Sequence, residues 1–123
     1  MKPGFSIIIP TCNTLPYLKL CLKSFKEHSS YSHQIIVCAD GCNDGTNEFL
    51  KTYSGINKVI LDKNQGVCSA TNQAARLANR EYLFLANDDL MASPGWDEAL
   101  MNFSSPGRVL SGVQIEPGWV PVA

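Results

Sequence analysis

"YLFLANDDLMASPGW", residues 82–96, decides the fold, because it runs from a buried strand straight into an amide and two carboxylates. Tyr82 to Ala86 are apolar on successive residues, which suits a strand covered on both faces. Asn87, Asp88 and Asp89 follow with no turn residue between. Ser93 and Pro94 then read as the N-cap and first position of a helix, with Asp97 and Glu98 in the first turn, where the helix dipole favours acids.

The same pattern recurs upstream. Phe5 to Ile9, Ile35 to Cys38 and Val59 to Leu61 are short apolar, β-branched runs that predict three more strands. Between them lie helical spacings: Leu18, Cys21, Leu22 and Phe25 after Pro16, with Lys19, Lys23 and Lys26 on the other side; Phe49, Leu50 and Tyr53 after Thr46; and an Ala-rich segment from Val67 to Leu77. Val109 to Ile115 predicts a fifth strand, and Gly118 to Ala123 a loose tail. Strands alternating with helices imply an α/β fold, a mostly parallel open sheet with helices on both faces in three layers.

The 123 residues suffice for one domain, taken as residues 1–123. Hydrophobic residues make up 45%, in the globular range. Ten basic and eleven acidic side chains leave a net charge of −1, which argues against nucleic acid as a partner. Five cysteines without CxxC spacing, and no second Cys/His pair beside Cys38 and Cys42, exclude a zinc tetrad; reduced thiols in the cytoplasm are expected. Ile7 to Ile9 is too short for a signal-peptide core, and no run reaches the roughly 18 apolar residues of a transmembrane helix.

Polar residues collect directly after strands: Thr11-Cys12-Asn13, Asp40-Gly41, Asp62 with Asn64 and Gly66, and Asn87-Asp88-Asp89. In a parallel sheet these carboxyl ends share the edge where ligands bind. Adjacent carboxylates repel, and a cation relieves that repulsion; carboxylate oxygens suit Mg²⁺ or Mn²⁺. Along an extended chain Asn87 and Asp89 would face one way and Asp88 the other. A hydrated turn leading to the next helix is the alternative for this pair. Asp40 reads either as a turn residue or as a carboxylate for a base N–H or ribose hydroxyl. Asn64-Gln65-Gly66 is compatible with a simple turn, and Asp44-Gly45-Thr46 with a helix start. Cys12 and Cys42 read as packing residues, His28 and His33 as surface or helix-end residues without partners, and no Ser/His/Asp or Cys/His set assembles.

"FSIIIPTCN", "IIVCADGCNDGT", "NQGVCSATNQAA" and "YLFLANDDLMASPGW", in this order and spacing, resemble the family 2 glycosyltransferases with their GT-A, Rossmann-like fold. The resemblance implies a nucleoside diphosphate sugar donor, commonly a UDP sugar, held with Mn²⁺ or Mg²⁺ for inverting transfer to an acceptor hydroxyl. Carried over by position, Pro10, Thr11 and Cys12 lie against the nucleotide, Asp40 contacts the base, and Asn64 joins the substrate-binding set. Asp88 and Asp89 match the acidic motif called DXD, in which the last acid holds the metal and Asp88 lies near the ribose or sugar.

The chain departs from the family at Ala39, where a second acid is frequent, and at Thr71, where an arginine is common. Glu116 does not match the family's general base, which stays unassigned. The expectation is therefore the donor-binding portion of a cytoplasmic glycosyltransferase, peripheral membrane attachment and homo-oligomerisation left open. Its acceptor, whether saccharide, lipid or protein, would meet a half that lies further along. The alternatives are a non-catalytic nucleotide-binding module derived from such an enzyme and, less well supplied with acids and histidines, a metal-dependent phosphohydrolase.

Overall fold

Residues 2–112 and 115 are described by the computed structural model. Four strands alternate with four helices: β1 (Lys2–Thr11), α1 (Leu15–His28), β2 (Gln34–Asp40), α2 (Thr46–Thr52), β3 (Asn57–Leu61), α3 (Val67–Ala75), β4 (Arg80–Leu85) and α4 (Trp96–Phe103). The sheet has the order β3-β2-β1-β4, and every pairing is parallel. β1 and β2 are therefore central, and the apolar runs from Phe5 to Ile9 and from Ile35 to Ala39 are buried throughout.

Alternation of side chains divides the core in two. Ile7, Ile9, Val37 and Ala39 face α1, α2 and α4, where Leu18, Leu22, Phe25 and Leu50 are buried against them. Ile8, Ile36 and Cys38 face α3 through Ala70 and Ala74. Three helices thus cover one face and α3 alone the other; small alanines let α3 sit close over β1 and β2. The expected three-layer α/β architecture is present.

Three local expectations need correction. β4 is an edge strand, not one buried on both sides: Tyr82 and Phe84 turn to the core, while Leu83 and Leu85 are 53% and 66% exposed beyond the reach of α3. α4 starts at Trp96, not at Pro94. Ser93 to Gly95 form a turn closed by Trp96 N–H to the Ser93 carbonyl (3.1 Å), with Gly95 left-handed at φ 72°. Val109 to Gly112 make no sheet pairing and instead line an apolar hollow beside β4; Val113 and Gln114, within the expected fifth strand, lie outside the described residues.

His33 is not a surface residue. Its Nδ1 accepts from Phe5 N–H (3.0 Å), which leaves Nε2 to donate to Asp97 (2.7 Å). Asp97, fully buried, also accepts from the backbone N–H groups of Ser30 and Tyr31. Burial raises the Asp97 carboxyl, but these donors outweigh it and hold it below the usual carboxylate range. Although Asp97 does occupy the first turn of α4, its larger task is to pin α4 to the α1–β2 loop. His28 is a helix-end residue as expected, yet it has a partner: its Nδ1 donates to the Ala92 carbonyl (2.6 Å).

The loops after β2 and β3 dock without an intervening side chain. Gly41 N–H donates to the Leu61 carbonyl (3.2 Å). A Cβ at Gly41 would lie 2.3 Å from the Asn64 nitrogen and 2.8 Å from the Lys63 carbonyl carbon, and φ is +68°. Only glycine fits there.

Gly41→Ala is expected to cost on the order of 3 kcal/mol, roughly 10 °C in Tm, since backbone atoms must move and φ is strained; thermal unfolding measures it. Asp97→Asn is expected to cost about 3 kcal/mol near neutral pH, because an amide cannot accept from so many donors. The folded Asp97 carboxyl lies below its unfolded value of about 3.9. Its contribution is therefore full above about pH 4 and lost as pH falls through the folded value. Urea unfolding from about pH 6 down to about pH 3 should show wild type and variant converging.

Candidate functional site

The carboxyl ends of all four strands open on one edge, and between their loops lies a cleft of about 310 Å³. Pro10, Thr11, Cys12, Asp40, Asn64, Gly66, Val67 and Asp88 line it. The six residues expected to touch substrate thus come together from segments up to 78 positions apart, as Pro10 and Asp88 illustrate. Asp62 is exposed and does not line the cleft.

Asp40 is buried and works as a latch. One carboxylate oxygen accepts from Gln65 N–H (2.7 Å) and the other from Gly66 N–H (3.0 Å), while the Asp40 carbonyl accepts from the Asn64 amide (3.1 Å). Charge-assisted bonds of this kind contribute roughly 2 kcal/mol each. The latch shapes the β3–α3 loop and aims the start of α3, through Gly66 and Val67, at the cleft, where a helix N-terminus favours anions. Two acceptor positions of the carboxylate remain for a ligand.

Asp88 is strapped to the loop after β1. Its Oδ2 accepts from the hydroxyls of Thr11 (2.9 Å) and Thr14, which also lie 3.2 Å from each other. Its Oδ1 has no partner among the described residues. The chain is no longer extended here: a turn closes from Leu90 N–H to the Asn87 carbonyl (3.4 Å). Simple alternation therefore does not govern these side chains. Asp88 leans into the cleft, whereas Asp89 is exposed and accepts no hydrogen bond among the described residues.

α1 holds this turn from below. The Cys21 thiol donates to the Asn87 carbonyl (3.6 Å), and Ser24 Oγ accepts from Ala92 N–H (2.9 Å). Burial, then the charges of Asp88 and Asp89, push Cys21 up to about 12, so it stays a thiol and a donor. Asp44 ties the two other loops: it accepts from Leu15 N–H (3.0 Å) and from Thr46, whose hydroxyl above all lowers its pKa. The helix-start reading of Asp44-Gly45-Thr46 therefore holds. Thr14 and Ser24 carried no signal in the sequence, Cys21 read only as part of the apolar face of α1, and Gly41 stood out only as the neighbour of Asp40 at a strand end.

A divalent cation fits this edge. Asp89 is an exposed carboxylate next to a second acid and accepts no hydrogen bond among the described residues. Among the described residues no three His, Cys, Asp or Glu side chains gather around one point. That donor set suits Mg²⁺ or Mn²⁺, which keep water and phosphate oxygens in their shell, better than a cation needing an all-protein cage. A larger hollow of about 500 Å³ lies beside β4, lined mainly by apolar groups such as Phe84, Trp96 and Leu100. Among the described residues it contains no acid, and the polar edge is the better candidate.

No helix among the described residues is long and apolar enough to cross a membrane. The fold is similar to that of TarS from S. aureus (TM-score 0.73, 23% identity, 84% of this chain and 32% of that one). It is also similar to the mannosyltransferase PcManGT from Pyrobaculum calidifontis, solved with GDP-Man and Mn²⁺ (TM-score 0.73, 22% identity, 86% and 34%). Both are GT-A glycosyltransferases. In sequence the chain is 32% identical over 93 residues to the putative teichuronic acid biosynthesis glycosyltransferase TuaG of Bacillus subtilis, covering 72% of this chain and 37% of the relative. It is 26% identical over 102 residues to the putative glycosyltransferase EpsH of the same species, covering 80% and 30%. It spans about a third of the length of each. The family model described as "Glycosyl transferase family 2" matches residues 6–116, which takes in the second half of β1, all of β2 to β4 and the four cleft loops. The chain belongs to glycosyl transferase family 2.

Proposed function

We propose that the cleft binds a nucleoside diphosphate sugar, with UDP as the preferred nucleotide, and that Asp89 carries Mn²⁺ or Mg²⁺ on the diphosphate for inverting transfer to an acceptor hydroxyl. The observation that carries this reading is the division of labour between two adjacent acids. Asp88 is oriented by Thr11 and Thr14 with one oxygen left over, and Asp89 stands free beside it. TarS has been solved with UDP and PcManGT with GDP-Man and Mn²⁺, so both nucleotides occur among proteins of this fold.

Each residue then has a task. The Asp40 latch fixes the loop that carries Asn64 and aims the first turn of α3 at the phosphates. The free acceptor positions on Asp40 take a base N–H, and Asp88 Oδ1 takes a hydroxyl of the ribose or sugar. A bound divalent cation would neutralise charge developing on the departing diphosphate. None of the described residues is assigned the removal of the acceptor's proton, and Glu116 lies outside them. The chain spans the donor-binding portion of such an enzyme as a single domain, residues 1–123. A module that binds nucleotide without transfer is the competing reading, and turnover in a sugar-transfer assay would eliminate it.

Isothermal titration with UDP and with GDP, each with and without Mn²⁺, tests donor binding. Metal-dependent binding is expected, with UDP tighter. Asp89→Ala should abolish the metal dependence. Thr14→Val should weaken binding about tenfold, about 1.4 kcal/mol, as Asp88 loses one of its two straps. Absence of nucleotide binding under every metal condition would refute the proposal.

A further inference from the structure

The loops after β1 and β2 lie side by side under the cleft. Asn43 N–H donates to Asn13 Oδ1 (2.8 Å), Leu15 N–H to Asp44 Oδ2 (3.0 Å), and the Cys42 thiol to the Thr11 carbonyl (3.5 Å). This sets the Cys42 thiol against the carbonyl that immediately precedes Cys12. Asn13 is left-handed, at φ 55°, so the chain bends sharply just after Cys12. Cys12 lines the cleft, where its sulfur accepts from the Asn64 amide (3.5 Å), the same amide that donates to the Asp40 carbonyl. The other thiols are elsewhere: Cys21 and Cys38 are buried on opposite faces of the sheet and Cys68 is exposed on α3.

We propose that Cys12 and Cys42 form a reactive dithiol in the floor of the cleft, which hydroperoxides oxidise to a disulfide that shuts out the nucleotide. The oxidation itself stands on the geometry of the two loops; the effect on nucleotide rests on the donor-binding reading above. Cys12 faces the cleft and reacts first. Its sulfur takes the terminal oxygen of the hydroperoxide, the O–O bond breaks, and the alcohol, or water from hydrogen peroxide, leaves a sulfenic acid. Burial pushes the Cys42 thiol up, so it holds less thiolate than an ordinary cysteine and is not the first to meet the hydroperoxide. The Cys42 sulfur then attacks the sulfenic sulfur. The S–S bond forms, the S–O bond breaks, and the hydroxyl leaves with the Cys42 proton as water. Two electrons pass from the thiols to the hydroperoxide. Cys12 must swing away from Asn64 to make this bond, so the amide loses one of its anchors and the cleft wall shifts.

The test treats the full chain with hydrogen peroxide, alkylates the remaining thiols and maps the peptides. The expected product is one linked pair carrying Cys12 and Cys42, reversed by dithiothreitol and absent from Cys42→Ser. In the reduced wild type, phenylarsine oxide, which bridges neighbouring thiols, should protect the same two cysteines from alkylation. UDP affinity should fall at least about tenfold on oxidation and return on reduction, whereas in Cys42→Ser the unresolved Cys12 should over-oxidise to sulfinic acid and the lost affinity should not return with dithiothreitol. No linked pair, or a pair that involves Cys21, Cys38 or Cys68, overturns the proposal. A Cys12–Cys42 link that leaves UDP affinity unchanged overturns the closure. If the reduced protein binds no nucleotide, the donor-binding reading fails, and the peptide map and arsenical protection still decide whether the dithiol exists.

Discussion

The carboxylate of Asp40 holds the site together. It ends the central strand β2 and takes the N–H groups of Gln65 and Gly66, so the loop after β3 is built on a side chain from its neighbour. Gly41, next in sequence, makes room by having no side chain at all. Neither half works alone: the two bonds require the close approach, and the close approach requires glycine. A parallel sheet brings four loops to one edge for topological reasons, but it leaves their backbone donors unsatisfied. In this chain acids from adjacent loops satisfy them.

The same logic sorts the aspartates. Asp40, Asp88 and Asp97 each accept two or more hydrogen bonds from groups distant in sequence, and Asp44 accepts one such bond from Leu15 besides those of its neighbour Thr46. Asp62 and Asp89 are exposed and accept none among the described residues, and of the two only Asp89 adjoins an acid that lines the cleft, Asp88. The bland reading of an acidic turn thus fits Asp44 well and Asp89 poorly.

Much of this was legible because β-branched runs in a parallel sheet leave a strong signature. Phe5 to Ile9 and Ile35 to Cys38 could hardly be anything but central strands, and polar residues directly after them marked the edge. β4 was misread because an apolar run does not reveal whether a neighbouring strand or helix covers it; Leu83 and Leu85 look like core and are not. The Ser93-Pro94 signal was overridden by Gly95, whose left-handed backbone and bond to the His28 carbonyl delay the helix. Pairings over long separations were invisible. His33 and Asp97 are 64 residues apart, and nothing in either neighbourhood announces the other. The straps on Asp88 were hidden for the same reason, since a threonine 74 positions away looks like any other polar loop residue.

The proposed donor site joins loops from four strands, with Asp89, next to the cleft-lining Asp88, as the cation ligand. A crystal structure of the chain with UDP and Mn²⁺ measures this most directly. The account predicts the uracil beside Asp40, the diphosphate over the first turn of α3, and the cation bonded to Asp89 and to phosphate oxygens. Nucleotide seated instead in the apolar hollow beside β4, or a cation with Asp89 outside its coordination shell, would contradict it.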